Sequence, residues 1–178
     1  MEWNENVLIT QCLKENPLAQ RHLYEKYSKK FYTICMRYCQ DEEDAKDVLQ
    51  NGFVKIYTKL DTYNFSGSFE GWMKRIITNT AIEFYRKKIN FQDIEEIKVQ
   101  NESAIIETSE IDVKEFLKII QSLPDGYRMV FNLYAMEGFN HQEIAKKLNI
   151  SEGTSKSQLS RARAILQKKI EALHRIKK

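Results

Sequence analysis

Only six glycines and two prolines punctuate this chain of 178 residues. Folds built of hairpins need many more, because tight turns draw on glycine's positive φ and proline's fixed φ. The long stretches between these punctuators read instead as helices, and their apolar residues recur accordingly. Asn16-Pro17 supplies a cap and a proline suited to the first helical position. After it, Leu23, Tyr27, Phe31, Ile34 and Tyr38 follow at spacings of three and four. That is one buried stripe on a helix of about five or six turns, and the expected fold class is all-α.

The same reading continues through residue 88. Asp41-Glu42-Glu43-Asp44 places carboxylates where the N-terminal dipole of a new helix favours them. The apolar face of that helix is Ala45, Val48, Leu49, Phe53, Ile56 and Leu60, and its polar face is Lys46, Asp47, Gln50, Asn51, Lys55 and Lys59. A break follows at residues 61–68, where turn formers mix with the rings of Tyr63 and Phe65. A further helix is expected from Phe69 to about Lys88, with Trp72, Ile76, Ile77, Ala81 and Phe84 or Tyr85 inward. It ends in the basic cluster Arg86-Lys87-Lys88. A short leading helix, Glu5 to Lys14, is expected to pack through Val7, Leu8 and Leu13.

Charge divides the chain into three parts. Residues 1–88 carry 14 basic and 12 acidic side chains, residues 89–111 one and six, and residues 112–178 thirteen and seven. The middle part lacks a sustained apolar period and reads as a flexible acidic linker joining two helical domains, 1–88 and 112–178. The basic end of the chain is a footprint for nucleic acid, although a solvated helix face has the same composition. Cys12, Cys35 and Cys39 have no framework or metal-site spacing and read as small buried hydrophobes, so neither a disulfide scaffold nor a metal site is expected. No apolar run is long enough to span a bilayer, and the polar start Met1-Glu2-Trp3-Asn4-Glu5 is unlike a secretion signal. A cytoplasmic protein without membrane insertion is the expectation.

Residues 112–178 carry the most specific pattern. Val113, Phe116, Leu117, Ile120 and Leu123 form one helix stripe, ended by Pro124; Tyr127, Val130, Phe131 and Leu133 or Tyr134 form another, closed by Gly138. Asn140 and Glu143 then make a capping box. A helix of barely two turns follows, with Ile144, Ala145 and Leu148 inward. Asn149 suits a left-handed turn, Ile150 plugs the core, and Ser151 caps the next helix. That helix, Glu152 to about Ile170, exposes Thr154, Lys156, Ser157, Ser160, Arg161 and Arg163 and turns Leu159, Ala162 and Leu166 inward. Hydroxyls and cations at these positions suit phosphates and guanine edges in a major groove. A plain helical hairpin with a basic face would share the composition, but the elements in register predict a helix-turn-helix, in a four-helix C-terminal domain expected to bind duplex DNA and to do no chemistry.

Read in order, these segments resemble a bacterial RNA polymerase sigma factor of the extracytoplasmic-function (ECF) group. The resemblance runs from about Leu18 to Ile170. It rests on Asp44-Ala45-Lys46-Asp47-Val48-Leu49-Gln50-Asn51-Gly52-Phe53, on Ser68 to Ile76 with Asn79 to Lys88, on Leu123-Pro124 with Glu143-Ile144-Ala145, and on Ser151 to Ser157 with Arg161-Ala162-Arg163. It implies that Asp44, Asp47, Gln50, Asn51 and Lys55 dock on core polymerase. It implies that Tyr63, Asn64, Phe65 and Ser66, with Trp72, Lys74, Arg75, Asn79, Arg86, Lys87 and Lys88, read the start-proximal promoter element, partly as an unstacked base of the non-template strand. For either aromatic ring, core packing explains the residue as well as stacking does. Ser151, Glu152, Gly153, Thr154, Lys156, Ser157, Ser160, Arg161 and Arg163 would read the upstream element as duplex. An anti-sigma factor that wedges between the domains is a partner such proteins often have; no cofactor is implied.

Three positions depart from the family's usual pattern. Gly52 sits mid-helix at a cost of ~1 kcal/mol against alanine, which close approach to the polymerase would explain. Ser155 stands where an apolar residue is common, and Glu83 where aspartate is. The rival readings differ in what they require of the first domain. A stand-alone helix-turn-helix regulator would need an effector cavity or a two-fold interface there, and would read a palindrome. An enzyme would need a nucleophile–base pair or clustered ligands, which His22, His141 and His174 do not supply; His141 reads as a polar surface residue. A general RNA-binding protein would lack the turn motif.

Overall fold

A computed structural model describes residues 4–88 and 112–176, and the expected linker at 89–111 lies outside the described residues. The described residues form eight helices and no strand. They belong to two compact units that divide between Phe84 and Tyr85.

The first unit contains α1 (Glu5–Leu13), α2 (Pro17–Tyr38), α3 (Glu42–Thr58) and most of α4 (Phe69–Lys88), whose residues from Tyr85 on fall beyond the division. Each of the first three helices starts on a side-chain cap. Asn4 accepts from the Val7 amide, Asn16 from Leu18 and Ala19, and Asp41 from Asp44. The α2 stripe is buried as the periodicity predicts, together with Ala19 and Cys35. It packs on α3, where Ala45, Val48, Leu49, Phe53 and Ile56 are buried, as is Leu60 of the 3-10 turn that follows. The Tyr57 hydroxyl donates to the Gln20 carbonyl at 2.8 Å, tying α3 to α2.

Two helices are rotated from the expectation. In α1 the buried residues are Leu8, Ile9 and Cys12, while Val7 and Leu13 are exposed. Leu8 and Leu13 stand about 140° apart around a helix of 3.6 residues per turn, so both cannot face one neighbour. In α4 the inward stripe is Phe69, Met73, Ile77 and Ala81, leaving Trp72 and Ile76 half-buried.

Gly52 has a different partner from the one expected. It is buried in its own unit, and a Cβ there would stand 2.4 Å from Ile77 Cδ1 of α4. Glycine lets α3 and α4 approach, which accounts for its place within the chain itself. Gly52→Ala is therefore expected to destabilise by ~1 kcal/mol, overpacking outweighing the gain in helix propensity. Adding Ile77→Val, which removes the obstructing methyl, should restore the midpoint in a denaturant titration. Equal losses with and without Ile77→Val would contradict the steric account.

The second unit contains α5 (Val113–Gln121), α6 (Asp125–Phe131), α7 (His141–Leu148) and α8 (Glu152–Ile176). Its core is built from Ile120, Leu123, Tyr127, Val130, Leu133, Ile144, Leu148, Leu159, Ala162, Leu166 and Ile170. Val113, expected on the inner stripe, is exposed at the start of α5. Ala145 and Ile150 are half-buried, so Ile144 and Leu148 fill the space between α7 and α8. Buried Arg128 donates to the carbonyls of Gln121 and Leu123 and pairs with Asp125, closing the end of α5. A wider π turn, Asn132–Met136, extends α6 and is followed by Gly138 at φ +77°. This geometry leads the chain into α7.

Candidate nucleic-acid interface

On α3, Asp47, Gln50 and Asn51 are exposed on one side of the helix and Asp44 is half-buried. Lys55 is engaged within the unit, its Nζ lying 2.5 Å from the Glu83 carboxylate of α4. The same outer side carries Val54, 55 % exposed, one turn beyond Gln50 and Asn51 and two beyond Asp47. Sequence reasoning passed over Val54 because a single valine does not alter a helical period.

The loop between α3 and α4 separates its two rings. Tyr63 is buried, 5.0 Å from Phe69 and 5.5 Å from Trp72 between ring centroids, and its hydroxyl donates to the Gly67 carbonyl at 2.9 Å. Phe65 is 54 % exposed and holds a left-handed backbone at φ +57°. Left-handed φ is uncommon for a bulky residue and costs ~1–3 kcal/mol. The surrounding loop enforces it: the Ser66 amide donates to Asn64 Oδ1 at 3.1 Å, Gly67 takes φ +81°, and Ser68 Oγ accepts from the Gly71 amide. Phe65 is thus held outward while Tyr63 supports it from beneath, their centroids 5.2 Å apart. Along α4, Trp72, Lys74 and Asn79 are half-buried and Arg75, Arg86, Lys87 and Lys88 are exposed.

In the second unit both halves of the capping box form: the Glu143 amide donates to Asn140 Oδ1 at 2.9 Å, and the Asn140 amide to the Glu143 carboxylate at 2.8 Å. Asn149 takes φ 56°, ψ 46°, and Ser151 Oγ accepts from the Thr154 amide at 2.9 Å, capping α8. The outer surface of the first turns of α8 carries the residues read from the sequence. Ser151, Gly153, Lys156 and Ser157 are exposed; Glu152, Thr154, Ser160, Arg161 and Arg163 are half-buried. Lys156 pairs with Glu152 at 2.7 Å, and this exposed partner holds the Glu152 carboxyl below its usual range. Such a surface pair is worth little and yields readily to a phosphate. Ser157 donates to the Thr154 carbonyl, and the Arg163 guanidinium lies over the Tyr134 ring at 5.6 Å. The helix therefore offers cations and hydroxyls along one side, partly pre-positioned by contacts within the unit.

His141 does not lie idle on the surface. Its Nδ1 is 2.9 Å from Ser155 Oγ, and its ring stacks on Tyr134 at 4.8 Å. Ser155 is fully buried, so the polar residue in an apolar position has a matching partner. Burial, followed by nearby Lys156, lowers the His141 pKa from its ordinary value, which favours the neutral ring. Among the described residues, no group of His, Cys, Asp and Glu could hold a metal ion, and no helix is long and apolar enough to cross a membrane.

Comparison with known proteins places these two units. Residues 23–89 match the family Sigma-70 region 2, and residues 114–166 match Sigma-70, region 4. The ECF RNA polymerase sigma-E factor of Escherichia coli (strain K12) is 28% identical over 185 residues, covering 96% of both chains. The ECF RNA polymerase sigma factor SigW of Bacillus subtilis (strain 168) is 29% identical over 183 residues, covering 93% of this chain and 96% of that one. In fold, the chain is similar to the sigma factor RpoE of Bartonella quintana, solved with the anti-sigma factor NepR (TM-score 0.52, 21% identity, 85% and 96% covered). It is also similar to CnrH, solved with the cytosolic domain of CnrY (TM-score 0.50, 23% identity, 93% and 96% covered). With both sigma regions present in order and relatives aligned along nearly the whole length, this chain belongs to the sigma-70 family, in its ECF group.

Proposed function

We propose that the two units divide the work of a sigma factor that brings core RNA polymerase to its promoters and assists melting. The outer side of α3, with Asp47, Gln50, Asn51 and Val54, docks on core polymerase. The loop 63–68 presents Phe65 to an unstacked base of the non-template strand, and α4 tracks the adjacent backbone with Arg75, Arg86, Lys87 and Lys88. The first turns of α8 enter the major groove of the upstream element. Residues 1–88 and 112–178 are the corresponding domains, with 89–111 between them. The place of action is the cytoplasm, where polymerase and promoters are. Two structural neighbours were solved in complexes with CnrY and NepR, and a protein inhibitor of that kind is the proposed regulatory partner here.

The observation that carries this reading is Phe65. A stand-alone regulator that reads duplex through α8 has no use for an exposed ring, held at a strained φ, in a second helical unit. Stacking of a single-stranded base gives the ring a purpose. The test mixes the purified chain with sigma-free core polymerase and genomic DNA of its source. Discrete transcript starts absent with core alone are expected, together with co-migration of the chain and core on gel filtration. Absence of both would overturn the reading in favour of the stand-alone regulator.

A further inference from the structure

The reader helix α8 is braced from one side by a path of four residues, two of them on other segments and two on α8 itself. Tyr134, in the π turn after α6, stacks on His141 at the start of α7, and His141 Nδ1 meets Ser155 Oγ in the first turn of α8 at 2.9 Å. Eight residues further along α8, Arg163 lies over the other participant in the stack, Tyr134. This path leaves α8 at Ser155 and returns to it at Arg163. The residues between those points include Lys156, Ser157, Ser160 and Arg161, which face the groove in the proposed function. Resting on that reading, we propose that His141 is a positioning residue for promoter recognition, acting through Ser155 to set the angle at which α8 meets the upstream element.

The chemistry favours a directional bond over loose packing. Ser155 is fully buried, so its hydroxyl must find a partner or bear the cost of desolvation. With the proton on Nε2, the imidazole leaves Nδ1 as an acceptor, and the Ser155 hydroxyl donates to it. Charged groups around the ring are Lys156, Glu152 and Arg163, all on α8; Tyr134 covers it from the π turn. Burial opposes protonation first, Lys156 and Arg163 add to the opposition, and Glu152 favours it. The neutral ring is favoured, and in either tautomer Nδ1 and the Ser155 hydroxyl can share one hydrogen bond. An apolar contact at residue 155 would fill the same space but would leave the rotation of α8 about its own axis less defined.

Two substitutions separate the bond from the stack. His141→Asn keeps a polar atom near the Nδ1 position and loses the ring; His141→Phe keeps a ring on Tyr134 and loses the bond. The measurement is discrimination by the full chain with core polymerase: transcription from the promoter that the parent protein defines, against the same promoter with single upstream-element bases changed. His141→Phe and Ser155→Ala are each expected to reduce discrimination about tenfold, the size of one misplaced base contact. His141→Asn should retain most of it. The double variant His141→Phe/Ser155→Ala should regain the thermal midpoint, since no buried polar atom is then orphaned, yet discriminate no better than either single variant. Recovery of discrimination along with the midpoint would overturn the proposal and leave the pair a stabilising contact only. Parent-like discrimination in His141→Phe would overturn it too. A parent protein that yields no discrete starts defeats the sigma reading and this inference with it, an outcome distinct from variants that discriminate as well as an active parent.

Discussion

Phe65→Ala should reduce open-complex formation roughly 5- to 150-fold, the range that ~1–3 kcal/mol of base–aromatic stacking implies. Core affinity should stay unchanged and the thermal midpoint nearly so, because the ring is mostly exposed and touches the unit only along Tyr63. Permanganate reactivity of the melted strand on a promoter the parent opens is the direct readout. Phe65→Gly sharpens the test. The backbone at this residue lies at φ +57°, a conformation glycine adopts without steric cost. The glycine variant should match or exceed the parent in stability and still fail to hold the strand open. Tyr63→Ala behaves in the opposite way: its ring is buried and its hydroxyl ties down Gly67, so the loss is ~3–5 kcal/mol of stability. Parent-like melting by Phe65→Ala would mean that the ring takes no base, and the loop's strain would then need another explanation.

The contrast between these two rings shows what sequence could convey. Both are aromatic residues in one turn-rich loop, and composition gives no means of separating them. The separation comes from a backbone torsion and a hydroxyl-to-carbonyl bond, which appear only once Gly67 and Asn64 have fixed the loop. The helix-turn-helix was far more legible. Capping at Asn140 and Ser151 and the left-handed turn at Asn149 are satisfied within four residues of sequence, so side-chain identity nearly determines them. The α2 stripe was legible for a similar reason, since five residues at helical spacing leave one inward face. Short α1 offered too few apolar positions to settle its rotation, and Leu8 with Ile9 prevailed over Val7 and Leu13. Contacts between distant segments were hidden from pattern reasoning. Gly52 against Ile77 and His141 against Ser155 are pairs whose meaning depends on which helix lies opposite.

Val54→Asp is expected to weaken binding to core polymerase by about 30-fold or more, equivalent to ~2 kcal/mol at an interface centre. Single exposed valines are ordinary on protein surfaces, so position has to make the case. Val54 shares the outer side of α3 with Asp47, Gln50 and Asn51, and a polar surround about an apolar centre is how protein interfaces are built. Aspartate at this point would remove the apolar contact and force a carboxylate out of water when the surfaces close. Folding should be spared, because the side chain is 55 % exposed in the free chain. Val54→Ala removes contact without adding charge and should weaken binding less. Asp47→Asn alters only the rim and should change the association rate and its salt dependence more than the lifetime of the complex. Binding of each variant to core, followed by anisotropy of a labelled chain, orders the three. If Val54→Asp binds core as the parent does, this side of α3 is not the dock; its polar residues then only solvate the helix, and the polymerase contact must be sought on another face of the first unit.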